Sequence, residues 1–168
     1  MAELWNHNLH YHRLLVERMP VPCNEALDVG CGDGVLTVKL AERARHVTAI
    51  DRSRDMIAKA KRRLAGLRNV TLVEDDLLAG TLPKSHFDFI VAVAVIHHMA
   101  FDSAVGEMAQ LLRRGGMLAI LGLATVPQAL GGQRQRIICG SRRVFFSTGC
   151  SEFGLVRGIR ARRLSSRR

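Results

Sequence analysis

Apolar runs of strand length alternate with stretches of helical spacing through the first three-quarters of the chain. That rhythm predicts a parallel sheet with helices on both faces. Glu25–Val29, Val47–Asp51, Asn69–Glu74, Phe87–Val95 and Met117–Leu123 read as five strands. Phe87–Val95 is almost continuously apolar, as a central strand covered on both faces would be. Helices are expected from Gly34 to Ala44, from Ser53 to Ala65, and from Phe101 to Arg113. Ser53 is a good N-cap and Gly66 a stop signal for the second, and Gly115-Gly116 ends the third. Leu4 to Met19 reads as a helix packed outside the sheet, ended by Pro20 and Pro22. The fold class expected is therefore α/β, a doubly wound, mostly parallel sheet.

Beyond Thr125 the pattern fades. Residues 126–168 are rich in Arg, Gly and Ser and lack Lys, Asp and Asn. Only Val144–Ser147 and Phe153–Ile159 suggest strands, here as a hairpin that would cover the open edge of Met117–Leu123. The domain reading is thus a body, 1–125, whose residues 1–22 form a helical lead-in, and a basic, partly disordered tail, 126–168. The tail's composition also resembles an out-of-frame continuation, which the other reading frames of the encoding DNA would test.

Charge follows the same division. The chain carries a formal +10, yet residues 1–125 hold 15 Lys+Arg against 14 Asp+Glu. The tail holds ten arginines and one acid, Glu152. A nucleic-acid partner is therefore expected only through the tail. No apolar run is long enough to cross a bilayer, and the N-terminus has no apolar signal core, so no membrane partner and a cytoplasmic location are expected. Cys23, Cys31, Cys139 and Cys150 show no metal-ligand spacing, and no metal is expected.

The chemistry concentrates in Leu27–Thr37, LDVGCGDGVLT. Asp28-x-Gly30-x-Gly32-x-Gly34 joins a strand to a helix, and glycines there let the backbone turn sharply and approach a ligand closely. The spacing differs from the GxGxxG of pyrophosphate-binding turns. Asp28 and Asp33 would repel a phosphate but suit a cationic ligand. Asp51 ends the second strand, where a carboxylate can accept two ribose hydroxyls, and Asp75 follows the third. Three acids thus stand at the carboxyl ends of successive strands, where doubly wound sheets bind ligands.

In that order LDVGCGDG, AIDRS, VEDDLL, FDFIVAVAVIHHM and LLRRGGMLAIL resemble the motifs of the class I S-adenosylmethionine-dependent methyltransferases of the small-molecule type. The match covers about residues 26–122, more than half of the chain. The resemblance implies S-adenosyl-L-methionine as cofactor and a small-molecule methyl acceptor. It implies a cofactor site of Asp28, Gly30, Cys31, Gly32, Gly34, Asp51, Arg52, Asp75 and Asp76. In it, the backbone of Gly30 and Cys31 holds the amino-acid end, Asp51 the ribose, and Arg52 and Asp75 flank the adenine. One of Asp75 and Asp76 is also expected to cap the turn starting at Leu77. The family's strand beside the fifth runs antiparallel.

Methyl transfer from a sulfonium demands alignment rather than a base. His97, His98 and Tyr11 are candidates for assisting it, and extended geometry would turn at most one of the two histidines toward the cleft. Packing is the plainer role for both. His7, His10 and His12 have no accompanying carboxylate or cysteine at metal-ligand spacing, and Cys31 reads as structural. Two other functions compete with small-molecule methylation. One is a non-catalytic or truncated cofactor-binding domain, and the other is RNA or protein methylation using the tail. The acceptor and the oligomeric state are not legible.

Overall fold

The computed structural model describes residues 7–122 and the backbone of 139–148 and 154–159. The elements are α1 (His7–Glu17), β1 (Glu25–Val29), α2 (Val35–Ala41), β2 (His46–Asp51), α3 (Arg54–Arg63), β3 (Val70–Glu74) and β4 (Phe87–Val93). They continue as α4 (Phe101–Leu111), β5 (Leu112–Gly122), β6 (Cys139–Thr148) and β7 (Gly154–Ile159). Single 3-10 turns lie at Leu77–Ala79 and Ile96–His98. The sheet order is β3-β2-β1-β4-β5-β6-β7. All neighbours are parallel except the antiparallel β6–β7 pair. The chain therefore leaves β1 in opposite directions, toward β2 and toward β4, and a crevice opens at the carboxyl edge where it does so.

The apolar pattern explains the layers. Phe89, Ile90, Val91 and Ala92 of β4 are wholly buried and alternate between the two faces. One face packs on α4 through Val105 and Met108, the other on α1 and α2 through Leu15, Leu36 and Leu40. Ser53 caps α3 as expected, its Oγ accepting from the Met56 N–H at 3.4 Å. Ile57 and Ala60 form that helix's buried side.

Three differences from the sequence reading have physical causes. Helix α4 stops at Leu111, and β5 begins at Leu112, although apolar spacing continues to Leu112. Arg113 is drawn to the sheet by the His86 carbonyl (2.6 and 3.0 Å) and by Asp88 (2.9 Å). The backbone then passes too close to its neighbours for any side chain at Gly116. A Cβ there would lie 3.0 Å from the carbonyl oxygens of Phe87 and Arg113. The two tail strands do form an antiparallel pair. However, β6 runs parallel to β5, so the antiparallel strand is at the outer edge and not beside the fifth. The 123–138 connection, and the rest of the tail, lie outside the described residues.

Helix α1 runs into β1 through Pro20 and Pro22 and packs Leu15, Val16 and Met19 against the sheet. It also buries His12, whose Nδ1 finds no partner among the described residues. Burial, and then Lys39, bring the His12 pKa down to about 4, with Asp33 opposing. The unfolded chain therefore binds protons here more readily than the folded one. Its contribution is complete above pH 6.5 and is lost as pH falls toward 4, on the order of 3 kcal/mol in all. His12→Phe should keep α1 docked and lower the acid-unfolding midpoint, read by circular dichroism. An unchanged midpoint would show that α1 detaches before the histidine titrates.

Candidate functional site

The crevice at the carboxyl edge is a cleft of about 420 Å3, within the usual range for small-ligand sites. Its floor comes from the end of β1 (Val29, Gly30, Gly32), and one wall from β2 and the start of α3 (Ile50 to Ser53, Met56). Asp75, Asp76 and Leu77 follow β3, and the far wall is Val93, Ala94, Val95, His98 and Met99 after β4.

The glycine loop is held down from β2. The N–H groups of Gly30 and Cys31 both donate to the Ile50 carbonyl, at 2.8 and 3.1 Å. Gly32 N–H donates to Asp51 Oδ2 at 2.9 Å, and Ser53 N–H to Asp51 Oδ1 at 2.8 Å. One carboxylate thus fixes both the loop and the approach to α3 while facing the cleft. Gly30 has φ +67, and a Cβ there would lie 2.4 Å from Val95 Cγ2. The β1 loop and the β4 wall meet at this point, so only glycine fits.

Asp28 is 2% exposed and does not line the cleft. Its Oδ2 accepts from Thr37 Oγ1 at 2.7 Å, tying β1 to α2. Burial pushes its pKa up to about 7; the Thr37 hydroxyl opposes this and Asp51 adds to it. Gly34 sits at the N-cap of α2 and is also outside the cleft lining. Cys31 is buried and its thiol pKa is pushed up, first by burial and then by Asp28 and Asp51, so it stays protonated.

After β3, Asp76 Oδ1 accepts from Leu78 N–H at 2.8 Å and is the cap of the Leu77 turn. Asp75 accepts from its neighbour's N–H (2.8 Å) and from Thr81 Oγ1 (2.9 Å). Both acids line the cleft, and with Asp51 they outnumber Arg52, the one arginine or lysine among its described lining residues.

The two histidines do not lie in extended chain. They fall in the Ile96–His98 3-10 turn, and His98 lines the cleft; the His97 side chain lies outside the described residues. Tyr11 packs in the apolar layer with α1 and is not among the cleft residues. Sequence reading missed Met56 and Leu77, whose apolar character signals core as readily as site. It also missed the Thr37–Asp28 bond and Ala94, which holds φ +52 without being glycine. Among the described residues no group of three His, Cys, Asp or Glu side chains could hold a metal, and no helix is long and apolar enough to cross a membrane.

So built, the cleft takes a ligand with hydroxyls and positive charge, and disfavours one with phosphates. Comparison with known proteins agrees on the family. Residues 26–116 match the model of a methyltransferase domain. A Mycobacterium tuberculosis protein named as an uncharacterized methyltransferase is 35% identical over 126 residues, covering 74% of this chain and 64% of the relative. The ubiquinone biosynthesis O-methyltransferase of Xylella fastidiosa is 36% identical over 111 residues, covering 62% of this chain and 44% of the relative. The chain thus spans less than two thirds of these relatives' lengths. Among solved structures, the N-methyltransferase NodS of Bradyrhizobium japonicum with S-adenosyl-L-homocysteine matches with TM-score 0.59. Its identity is 24%, over 69% of this chain and 67% of that one. The [4+2]-cyclase SpnF matches with TM-score 0.63 and 26% identity, over 76% of this chain and 50% of that one.

Proposed function

This chain belongs to the class I S-adenosylmethionine-dependent methyltransferase family, and from that premise we propose that it methylates a small-molecule acceptor. The observation that carries the reading is the acidic cleft organised by Asp51 at the carboxyl ends of β1, β2 and β3. Three facing carboxylates against one arginine fit a cofactor that has an ammonium, a sulfonium and a ribose but no phosphate.

The bound cofactor supplies an activated methyl group on a cationic sulfur. Asp51, with each oxygen already accepting one N–H, keeps lone pairs for the ribose hydroxyls. Arg52, Asp75 and Asp76 flank the adenine end. The Gly30 and Cys31 N–H groups are committed to Ile50, and the Cys31 carbonyl accepts from Gly34 N–H at 3.0 Å. In this loop it is therefore the carbonyl of cleft-lining Gly30 that is offered to the ammonium of the amino-acid end. Val93, Val95 and Met99 exclude water from the transfer side.

His98 can accept a proton from a hydroxyl or amine acceptor. Since the displacement needs alignment first, His98→Gln should lower kcat less than about tenfold, well under the 100-fold or more of an obligatory base. A greater loss, restored by raising pH, would make His98 the base.

Calorimetry with S-adenosylhomocysteine tests the cofactor reading, and micromolar affinity is expected. Absence of binding at high micromolar concentration would count against every enzymatic reading. A screen of acceptors with labelled cofactor then tests the transfer. Tight binding without any transfer would favour the second reading, a non-catalytic cofactor-binding domain.

A further inference from the structure

Among the described residues, Asp28 is a buried acid without a counter-ion. It is 2% exposed, and a single hydroxyl, Thr37 Oγ1, donates to it. Its strand neighbours are apolar, Ala49 on β2 and Val91 on β4. The charge that acts on it is that of another carboxylate, Asp51. Cys31 of the loop stays a neutral thiol. On the helical side, His12 interacts with Lys39 and Asp33 and is kept neutral. Among the described residues, none of the ion pairs includes Asp28. A carboxylate so placed gains little by ionising until a positive charge arrives nearby. The cleft floor begins at the next residue, Val29.

We infer that Asp28 is protonated in the free protein near neutral pH and gives up its proton when a cationic ligand enters the cleft. Ligand binding and proton release are then one linked event, and Asp28 becomes a specificity-determining residue. S-adenosylmethionine, with a net positive charge, drives the ionisation more strongly than the net-neutral product S-adenosylhomocysteine does. The cleft thereby holds the cofactor and lets the product go. The inference rests on the cofactor reading above and adds the proton to it.

The sign follows from linkage. The carboxyl keeps its proton up to about pH 7 in the free protein, and a nearby cation lowers that value. Affinity for S-adenosylmethionine must then rise with pH from 6 toward 7.5 and level off above. The same linkage makes the free protein less stable as pH rises from about 4 to 7, because the folded state holds the proton more tightly.

The test is calorimetry of the full chain at pH 6.5 in two buffers of different ionisation enthalpy. About half a proton or more should be released per S-adenosylmethionine bound, and less for S-adenosylhomocysteine. Asp28→Asn should abolish the release, whereas His12→Phe, which removes a buried histidine outside the cleft that is already neutral at this pH, should leave it intact. Thr37→Val removes the one donor to the ionised form and should move the release window to higher pH, a readout independent of whether Asp28→Asn folds. Binding without proton release would overturn the inference alone. Failure of both ligands to bind would overturn the cofactor reading and the inference with it.

Discussion

Gly30→Ala is expected to abolish measurable binding of S-adenosylhomocysteine and to lower the melting temperature by roughly 6–12 °C. Two costs add. The backbone at Gly30 is left-handed, φ +67, which a side chain opposes by about 1–2 kcal/mol. The new methyl would also sit 2.4 Å from Val95 Cγ2 and 2.7 Å from Val95 Cβ. Val95 cannot swing away, since the contact reaches its branch point, and overpacking of this kind costs about 1–3 kcal/mol. The strain falls on the seam between the glycine loop and the β4 wall, so cleft geometry suffers before the rest of the sheet. Thermal melts and calorimetry read the two effects separately. Adding Val95→Ala removes the 2.4 Å contact with Cγ2 but keeps Cβ at 2.7 Å, so it should recover only part of the steric loss and none of the backbone part. A Gly30→Ala protein with wild-type melting and affinity would sink the account of the loop.

Asp51→Ala is the second large effect, and its signature is different. The substitution removes the acceptor for two backbone N–H groups, Gly32 at 2.9 Å and Ser53 at 2.8 Å. Charge-assisted bonds of this kind contribute about 1.5–3 kcal/mol each. Stability should therefore fall by a few kcal/mol, as the loss of two such bonds implies. Affinity, in contrast, should weaken about 100- to 1000-fold, because the ribose loses its partner while the loop that shapes the floor loses its anchor. Asp51→Asn keeps one acceptor oxygen and should lie between wild type and alanine in both measurements. If the melting temperature collapsed while affinity persisted, Asp51 would be a clamp for the loop and nothing more.

The two variants show what a sequence reading reaches and what it does not. Asp28, the glycines, Asp51 and Asp75 could be picked out because each occupies a fixed offset from a strand end, and strand ends follow from local apolar runs. What they do to one another could not. Asp51 was expected to face a ribose; that it also holds Gly32 depends on two loops, 19 residues apart, meeting over the sheet. Asp28 was grouped with the cleft, yet its partner is Thr37 and its surroundings are dry. Extended chain would put His97 and His98 on alternate faces, whereas their backbone forms a 3-10 turn. The end of α4 was misplaced for a similar reason: the helical period ran on to Leu112, but Arg113 answered to Asp88 and His86 across the sheet.

By itself, then, the sequence determined the element order, the parallel α/β class and the family. Those depend on hydrophobic period and on motifs read within a few residues, which local sterics and burial dictate. The tertiary structure alone decided which acids face the cleft and which are buried behind it, why Gly30 tolerates no side chain, and that β6 lies parallel to β5. Those depend on contacts between distant segments and on the dielectric each acid meets, quantities that exist only once the sheet has brought the strand ends together.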